Sequence, residues 1–172
     1  MNMSVEKASY KTVIKEGNFE VRLYDPVIIA VSQENNLKGT SGFNHLFSYI
    51  SGRNRESKKI AMTAPVINNL DAEKPTIAFV MPKAYSMEEL PQPMPSNIQL
   101  QEIPKRYLAA ISFSGNINQK IIEKKKHELI EWLKAKQITA IGSIELARYN
   151  PPFVPGFIKH NELLVEVNPP VE

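Results

Sequence analysis

Of the side chains that could do chemistry, this sequence offers three histidines, one adjacent pair of glutamates and scattered arginines and lysines, and it has no cysteine. Thiol catalysis, Cys-ligated zinc, iron–sulfur clusters and other thiolate-ligated metal centres are therefore excluded. No Walker loop, GxGxxG, GxSxG or HExxH occurs, which removes the best support for nucleotide-binding and hydrolase readings. The pair Glu88-Glu89 lies beside a proline-rich stretch, where solvated charge explains it better than an acid and a base of separated pKa.

The histidines differ in setting. His127 stands between Glu123 and Glu131 at i−4 and i+4, opposite the stripe Ile122, Leu129 and Leu133, which predicts a water-facing, ion-paired row. His160 follows Lys159 at the start of an apolar run and either helps to hold an anion or flanks an exposed turn. His45 is more informative. Gly42, His45 and Tyr49 fall at i, i+3 and i+7 of a helical pattern, a polar-aromatic strip beside the expected core face of Phe43, Leu46, Phe47 and Ile50. Such a strip lines a ligand, with Gly42 as the gap, or is the ordinary border of an amphipathic helix. Arg53, Arg55, Lys58 and Lys59 follow, either as solvated charge or as the rim of an apolar pocket suited to an amphipathic dicarboxylate. The late run Pro151-Pro152-Phe153-Val154-Pro155-Gly156-Phe157 sets two aromatics on a proline-stiffened loop, as core plugs or as a preorganised apolar wall.

The elements that must position these residues can be read from periodicity and breakers. Residues 19–33 give two short strands, or one bulged strand, around Asp25-Pro26, because proline cannot donate to a ladder. A short amphipathic helix is capped by Thr40-Ser41-Gly42 and Gly52, and residues 60–67 and 76–81 give two further strands joined by the polar stretch 68–74. Residues 86–95, with Pro91, Pro93 and Pro95, form an extended linker. The order then restarts: extended segments in 98–114 around Pro104, a helix over 116–137 with Ile121, Ile122, Leu129, Trp132 and Leu133 on one side, and strands at 143–149 and 162–167. The prediction is an α+β domain over residues 1–172, in which a strand-helix-strand-strand repeat occurs twice (about 10–85 and 96–168). A mixed sheet packed on the two helices would bury both apolar helix faces.

At 172 residues and 42% hydrophobic content, the chain can bury a core without metal or disulfide staples. The net charge of +3 is modest, and much of it lies among Lys120, Lys124, Lys125 and Lys126, interleaved with Glu123, Glu128 and Glu131. That pattern reads as a solvated helix face, so no nucleic-acid partner is expected. The longest wholly apolar run, 27–31, is too short to span a bilayer, and residues 1–11 lack a secretion-signal layout. A cytoplasmic protein with a small-molecule ligand and no membrane partner is the expectation.

At Lys59-Ile60-Ala61-Met62-Thr63-Ala64-Pro65-Val66 the sequence resembles the hallmark string of the SOUL haem-binding protein family. Phe19-Glu20-Val21-Arg22-Leu23-Tyr24-Asp25-Pro26, Gly42-Phe43 with Leu46-Phe47, and Tyr49-Ile50-Ser51-Gly52-Arg53-Asn54 are similar to its other blocks. So are Met81-Pro82, Tyr149-Asn150-Pro151-Pro152-Phe153 and Asn161-Glu162, all in the same order, so that the resemblance covers about residues 10–167. It implies a duplicated strand-helix-strand-strand fold whose mixed, mainly antiparallel, barrel-like sheet carries two helices, similar to effector-binding domains of the GyrI type. It also implies a non-enzymatic carrier or buffer that binds b-type haem, non-covalently, or another tetrapyrrole, in an apolar groove between the first helix and the 150–157 loop. The lining residues expected on the first side are Gly42, His45, Leu46, Tyr49, Arg53, Lys58 and Met62, and on the second Phe153, Val154, Phe157 and Lys159.

Two departures bear on this. Where the family often has two arginines before Asn-Glu, the chain has Lys159-His160, which keeps positive charge but loses the bidentate fork suited to carboxylates. The position inside Arg-X-Tyr that is histidine in some haem-ligating members is Leu23. His45 is then the candidate axial iron ligand, the alternative being haem held by the apolar groove and the rim of Arg53, Lys58 and Lys159 alone. A GyrI-like module for another amphipathic ligand and an enzyme acting on a tetrapyrrole remain open as other readings.

Overall fold

The computed structural model describes residues 5–171 apart from Asn35, Lys38, Gly39, Asp71, Ala72, Pro95, Ser96 and Pro152. Parts of three predicted segments thus lie outside the described residues: the middle of the polar stretch 68–74, Pro95 of the linker and Pro152 of the late loop. In chain order the strands and helices are β1 (Glu6–Lys7), β2 (Tyr10–Glu16), β3 (Phe19–Tyr24), β4 (Val27–Gln33), α1 (Ser41–Ile50), β5 (Thr63–Ala64), β6 (Val66–Asn69) and β7 (Thr76–Val80). They continue as β8 (Gln99–Ile103), β9 (Arg106–Ser114), α2 (Gln119–Lys136), β10 (Glu145–Arg148), a 3-10 turn (Gly156–Ile158) and β11 (His160–Val167). The predicted α+β class and the duplicated order are both found, as β4-α1-β6-β7 and β9-α2-β10-β11.

The chain forms two compact units, one of Met1–Ala8 and Pro26–Pro104, the other of Ser9–Asp25 and Lys105–Glu172. In the first unit β6, β7, β4 and β8 lie side by side, each pair antiparallel, and β1 pairs with β5 in parallel. Helix α1 packs on β4 and β7. One core cluster gathers Ala30, Leu46, Tyr49, Ile50, Ile77, Phe79 and Leu90, while Ile29, Ala78 and Val80 form a second. Strands apolar on both faces follow from this, since residues alternate sides along a strand and both sides are covered. The strand predicted over 60–67 is interrupted: β5 and β6 flank Pro65, which has no N–H for a ladder.

In the second unit the order is β2-β3-β9-β11-β10, all antiparallel. Helix α2 buries Ile122, Leu129 and Leu133, three of the five residues predicted for that face, and packs on β9 and β11. It starts where Asn118 caps it, the side chain accepting from the Ile121 N–H at 2.9 Å. The Asp25-Pro26 break predicted between β3 and β4 is where the chain leaves one unit for the other. The hairpin β2–β3 is not among the predicted elements, and it turns at Gly17, whose φ of 57° suits glycine.

Candidate functional site

In the first unit, α1 buries Leu46 and Ile50 of the expected core face, and with them Gly42 and Tyr49 of the strip beside it. Phe47 is exposed and stacks on half-buried Phe43 with ring centroids 6.1 Å apart. Gly42 is therefore not a gap for a ligand. A Cβ there would lie 2.7 Å from both the Gln33 carbonyl oxygen and Ile77 Cγ2, so the glycine lets the helix start press onto the sheet. Its N–H donates to Glu34 Oε2 at 3.0 Å, a cap from a distant carboxylate where Thr40 supplies none. The Tyr49 hydroxyl donates to the Pro91 carbonyl at 2.6 Å, and burial, then the charges of Glu56 and Tyr85, push the phenol up to about 12.

His45 is exposed, with Nδ1 3.5 Å from Ser32 Oγ. Arg53 and Lys58 are exposed, and the Lys58 ammonium lies 4.9 Å from the centre of the Tyr85 ring. The turn carrying them is organised by buried Asn54. Its side chain donates to the Tyr49 and Lys58 carbonyls and accepts from the Glu56 and Lys58 N–H groups, satisfying each of its hydrogen-bonding groups. Met62 is half-buried against the core. Of the seven residues expected from this unit, Gly42, Leu46 and Tyr49 are scaffold, and His45, Arg53 and Lys58 have side chains free to meet a ligand.

The second unit carries the late loop. Phe153 is 85% exposed and Phe157 81%, so neither plugs the core. Val154 and Lys159 are half-buried. The loop is nevertheless fixed at several points: Val154 N–H donates to the Pro151 carbonyl, and Ile158 and Lys159 N–H groups close the 3-10 turn onto Pro155 and Gly156. Asn150 Oδ1 accepts from the His160 N–H at 2.6 Å, and a Cβ on Gly156 would lie 2.7 Å from Asn116 Oδ1. His127, on α2, is exposed as predicted.

Beneath the loop lies a buried charged network that the sequence reading does not identify. Glu20, Arg22 and Tyr24 alternate along β3 and share one side of it. Arg22 is 1% exposed and forks onto Glu162 of β11, Nη1 to Oε1 at 2.8 Å and Nη2 to Oε2 at 2.5 Å. It also donates to Glu20 and to the Tyr24 hydroxyl, and Tyr10 lies over it, its ring centre 4.3 Å from the guanidinium carbon. Glu162 receives three more groups: the Tyr149 hydroxyl at 2.8 Å, Ser112 Oγ at 3.1 Å and His160 Nε2 at 3.2 Å. Burial pushes the Glu162 carboxyl up, but hydrogen bonds from Arg22 and His160, the Arg22 charge and the Tyr149 hydrogen bond outweigh it and hold the carboxyl well below its usual range. Burial, then the Glu162 charge, pushes the Tyr149 phenol far above its ordinary value, and burial takes Tyr24 up to about 12 despite Arg22.

At neutral pH this is a fixed carboxylate with its lone pairs filled, beside neutral phenols. It braces the strands from which the loop springs. Its sequence signal was Glu-X-Arg-X-Tyr inside an apolar strand, charges placed where a core face should be. Among the described residues no three His, Asp or Glu side chains gather as a metal site, and no helix is long and apolar enough to cross a membrane.

Comparison with known proteins places this geometry. Residues 5–166 match the family described as "SOUL heme-binding protein". A curated human relative, "Heme-binding protein 2", is 27% identical over 110 residues, 58% of this chain and 53% of that protein, so the match spans about half the relative's length. Among solved structures, the "EcmrR C-terminal domain" superposes with a TM-score of 0.65 at 10% identity, covering 92% of this chain and 98% of that one. A structure described as a hydrolase from Listeria innocua gives a TM-score of 0.62 at 10% identity, covering 91% and 94%. At such identities these two show a shared fold.

Proposed function

The chain belongs to the SOUL heme-binding family, and on that premise we propose that it binds haem or a related tetrapyrrole reversibly, as a carrier or buffer rather than an enzyme. The observation that carries this reading is the pair of phenylalanine rings held out into solvent by a multiply tied loop, which offers flat apolar area at little ordering cost. The residues present fit a haem chemically. Each unit offers its own groups: in the second, Phe153 and Phe157 supply apolar surface and Lys159 a cation for a propionate, and in the first, Arg53 and Lys58 supply cations and exposed His45 an imidazole able to act as axial ligand. With no cysteine to form thioethers, the haem would be non-covalent and b-type. When bound it would contribute the iron, while the chain binds, orients and shields the macrocycle.

The filled hydrogen bonds of Glu162 and the elevated Tyr149 phenol favour binding over acid–base catalysis, since neither group is poised to exchange a proton near neutrality. Comparative hemin titrations test the assignment. Phe153→Ala with Phe157→Ala, and separately Arg53→Gln with Lys58→Gln, should each weaken binding about tenfold or more while unfolding remains cooperative. His45→Ala should shift the Soret band if its imidazole ligates the iron. Affinity unchanged in both double variants would remove the proposed contacts, and consumption of hemin in the presence of a reductant would move the protein to the enzymes.

A further inference from the structure

The loop between β10 and β11 carries more apolar surface than its two aromatics. Ile158, in the 3-10 turn, is 57% exposed beside Phe157 at 81%, so three large apolar side chains within six residues face water. Such a cluster is unusual on a folded surface without a partner. It is not a consequence of looseness: the Asn150–His160 bond ties the base, the 3-10 turn orders the tip, and Gly156 rests against Asn116.

The same contact says what surrounds the cluster. Asn116 lies two residues before the cap of α2, so the loop sits by the lysine-rich start of that helix. Lys125, further along, reaches over the Phe113 ring, and Phe113 is the ladder partner of Asn161, the residue after His160. Residues 116–127 and 150–160 together hold five lysines and one carboxylate, Glu123. Lys125 pairs with Glu128 at 3.1 Å, but Lys120, Lys124, Lys126 and Lys159 make no ion pair among the described residues. Exposed apolar side chains on a loop that rests against the lead-in to a lysine-rich helix complement the interface of a bilayer with anionic headgroups. An apolar insertion alone gives marginal attachment, and a basic patch beside it supplies the second attraction that stable docking needs.

We propose that this loop is a peripheral membrane anchor, in which Phe153, Phe157 and Ile158 enter the interfacial layer of an anionic bilayer while the lysines of α2 and Lys159 pair with headgroup phosphates and carboxylates. The absence of a membrane-spanning helix does not bear on it, because the protein lies on the surface and spans nothing. The inference stands on the loop and its cations and not on the haem reading. Were both to hold, the loop would meet an apolar ligand at the bilayer, where such ligands partition.

The test is co-sedimentation of the full ligand-free chain with extruded vesicles, either phosphatidylcholine alone or with about one third phosphatidylserine. The wild type should partition onto the anionic vesicles and several-fold less onto the neutral ones, and moving from 0.05 to 0.5 M salt should weaken binding several-fold. Phe153→Ala with Phe157→Ala should lower partitioning about tenfold or more, and Lys120→Gln with Lys124→Gln several-fold, with circular dichroism unchanged. Failure of the wild type to bind anionic vesicles, or binding that survives loss of both loop rings, overturns the proposal. So does self-association in light scattering that those substitutions abolish while vesicle binding is absent, because the loop would then serve a second copy of the chain. Hemin titration of the same samples reports separately on the haem reading, so either can fail alone.

Discussion

Replacing Glu162 by glutamine should destabilise the second unit more than any other single polar change. The carboxylate is 2% exposed and takes both arms of the Arg22 fork, the Tyr149 hydroxyl, Ser112 Oγ and His160. Glutamine keeps one acceptor oxygen and turns the other position into a donor facing donors, and Arg22 then has Glu20 as its remaining anionic partner. Breaking a buried pair by neutralising one side costs about 3–5 kcal/mol, against a total stability of about 5–15 kcal/mol for a domain. At about 2–4 °C per kcal/mol for a chain of this size, the melting temperature should fall by about 6–20 °C. Thermal and urea unfolding followed by circular dichroism would measure it. The loss should also depend on pH in a defined direction. Because the folded protein holds this carboxyl below its ordinary value of 4.5, the unfolded chain takes up the proton first on acidification. The wild-type advantage is therefore full above about pH 4.5 and shrinks as the pH drops towards the depressed folded value. The double change Arg22→Met with Glu162→Leu should cost less than the two single changes added together, since neither leaves the other unpaired. A glutamine variant within 1 kcal/mol of wild type at pH 7, or one whose deficit grows on acidification, would refute the reasoning.

Other outcomes follow from single contacts. Tyr49→Phe removes the 2.6 Å bond to the Pro91 carbonyl and should cost about 1–2 kcal/mol in urea unfolding. Gly42→Ala forces a Cβ to within 2.7 Å of backbone and Ile77, and should cost about 1–3 kcal/mol or more. Phe153→Ala with Phe157→Ala should leave the unfolding midpoint within about 0.5 kcal/mol of wild type, because exposed rings add little to folding. With the Tyr149 phenol raised in the folded state, stability should hold below pH 10.0 and decline above it as the unfolded chain ionises first. Tyr149→Phe should flatten that alkaline decline, which unfolding measured from pH 8 to 11 would report.

Much of the fold was legible because local rules met no opposition. Asp25-Pro26 had to divide β3 from β4, and the 3.6-residue apolar period of α2 survives in its buried face of Ile122, Leu129 and Leu133. Helix α1 was read with the right length and a core face that holds for Leu46 and Ile50 but not for Phe47. Phe47 looked like core, but Tyr49 goes inside because the Pro91 carbonyl is there to accept its hydrogen bond, and Gly42 goes inside because no side chain fits. Strand β2 was missed because YKTVIKE is exposed along almost its whole length and carries no alternation to read. Glu20, Arg22 and Tyr24 gave a local hint of the buried network, but not its partner, for Arg22 and Glu162 are 140 residues apart and each is a surface residue by type. The proline-stiffened loop stood out from its residues alone, as core plugs or an apolar wall, and the structure shows that its aromatics face water.

The central claim, reversible tetrapyrrole binding, is tested most directly by titrating hemin into the purified protein and following the Soret band. The account predicts a saturable change with an endpoint near one equivalent, reversed when excess apomyoglobin is added to take up the haem. A Soret change that never saturates, and that matches hemin adsorbing to an unrelated protein of similar net charge, would contradict it.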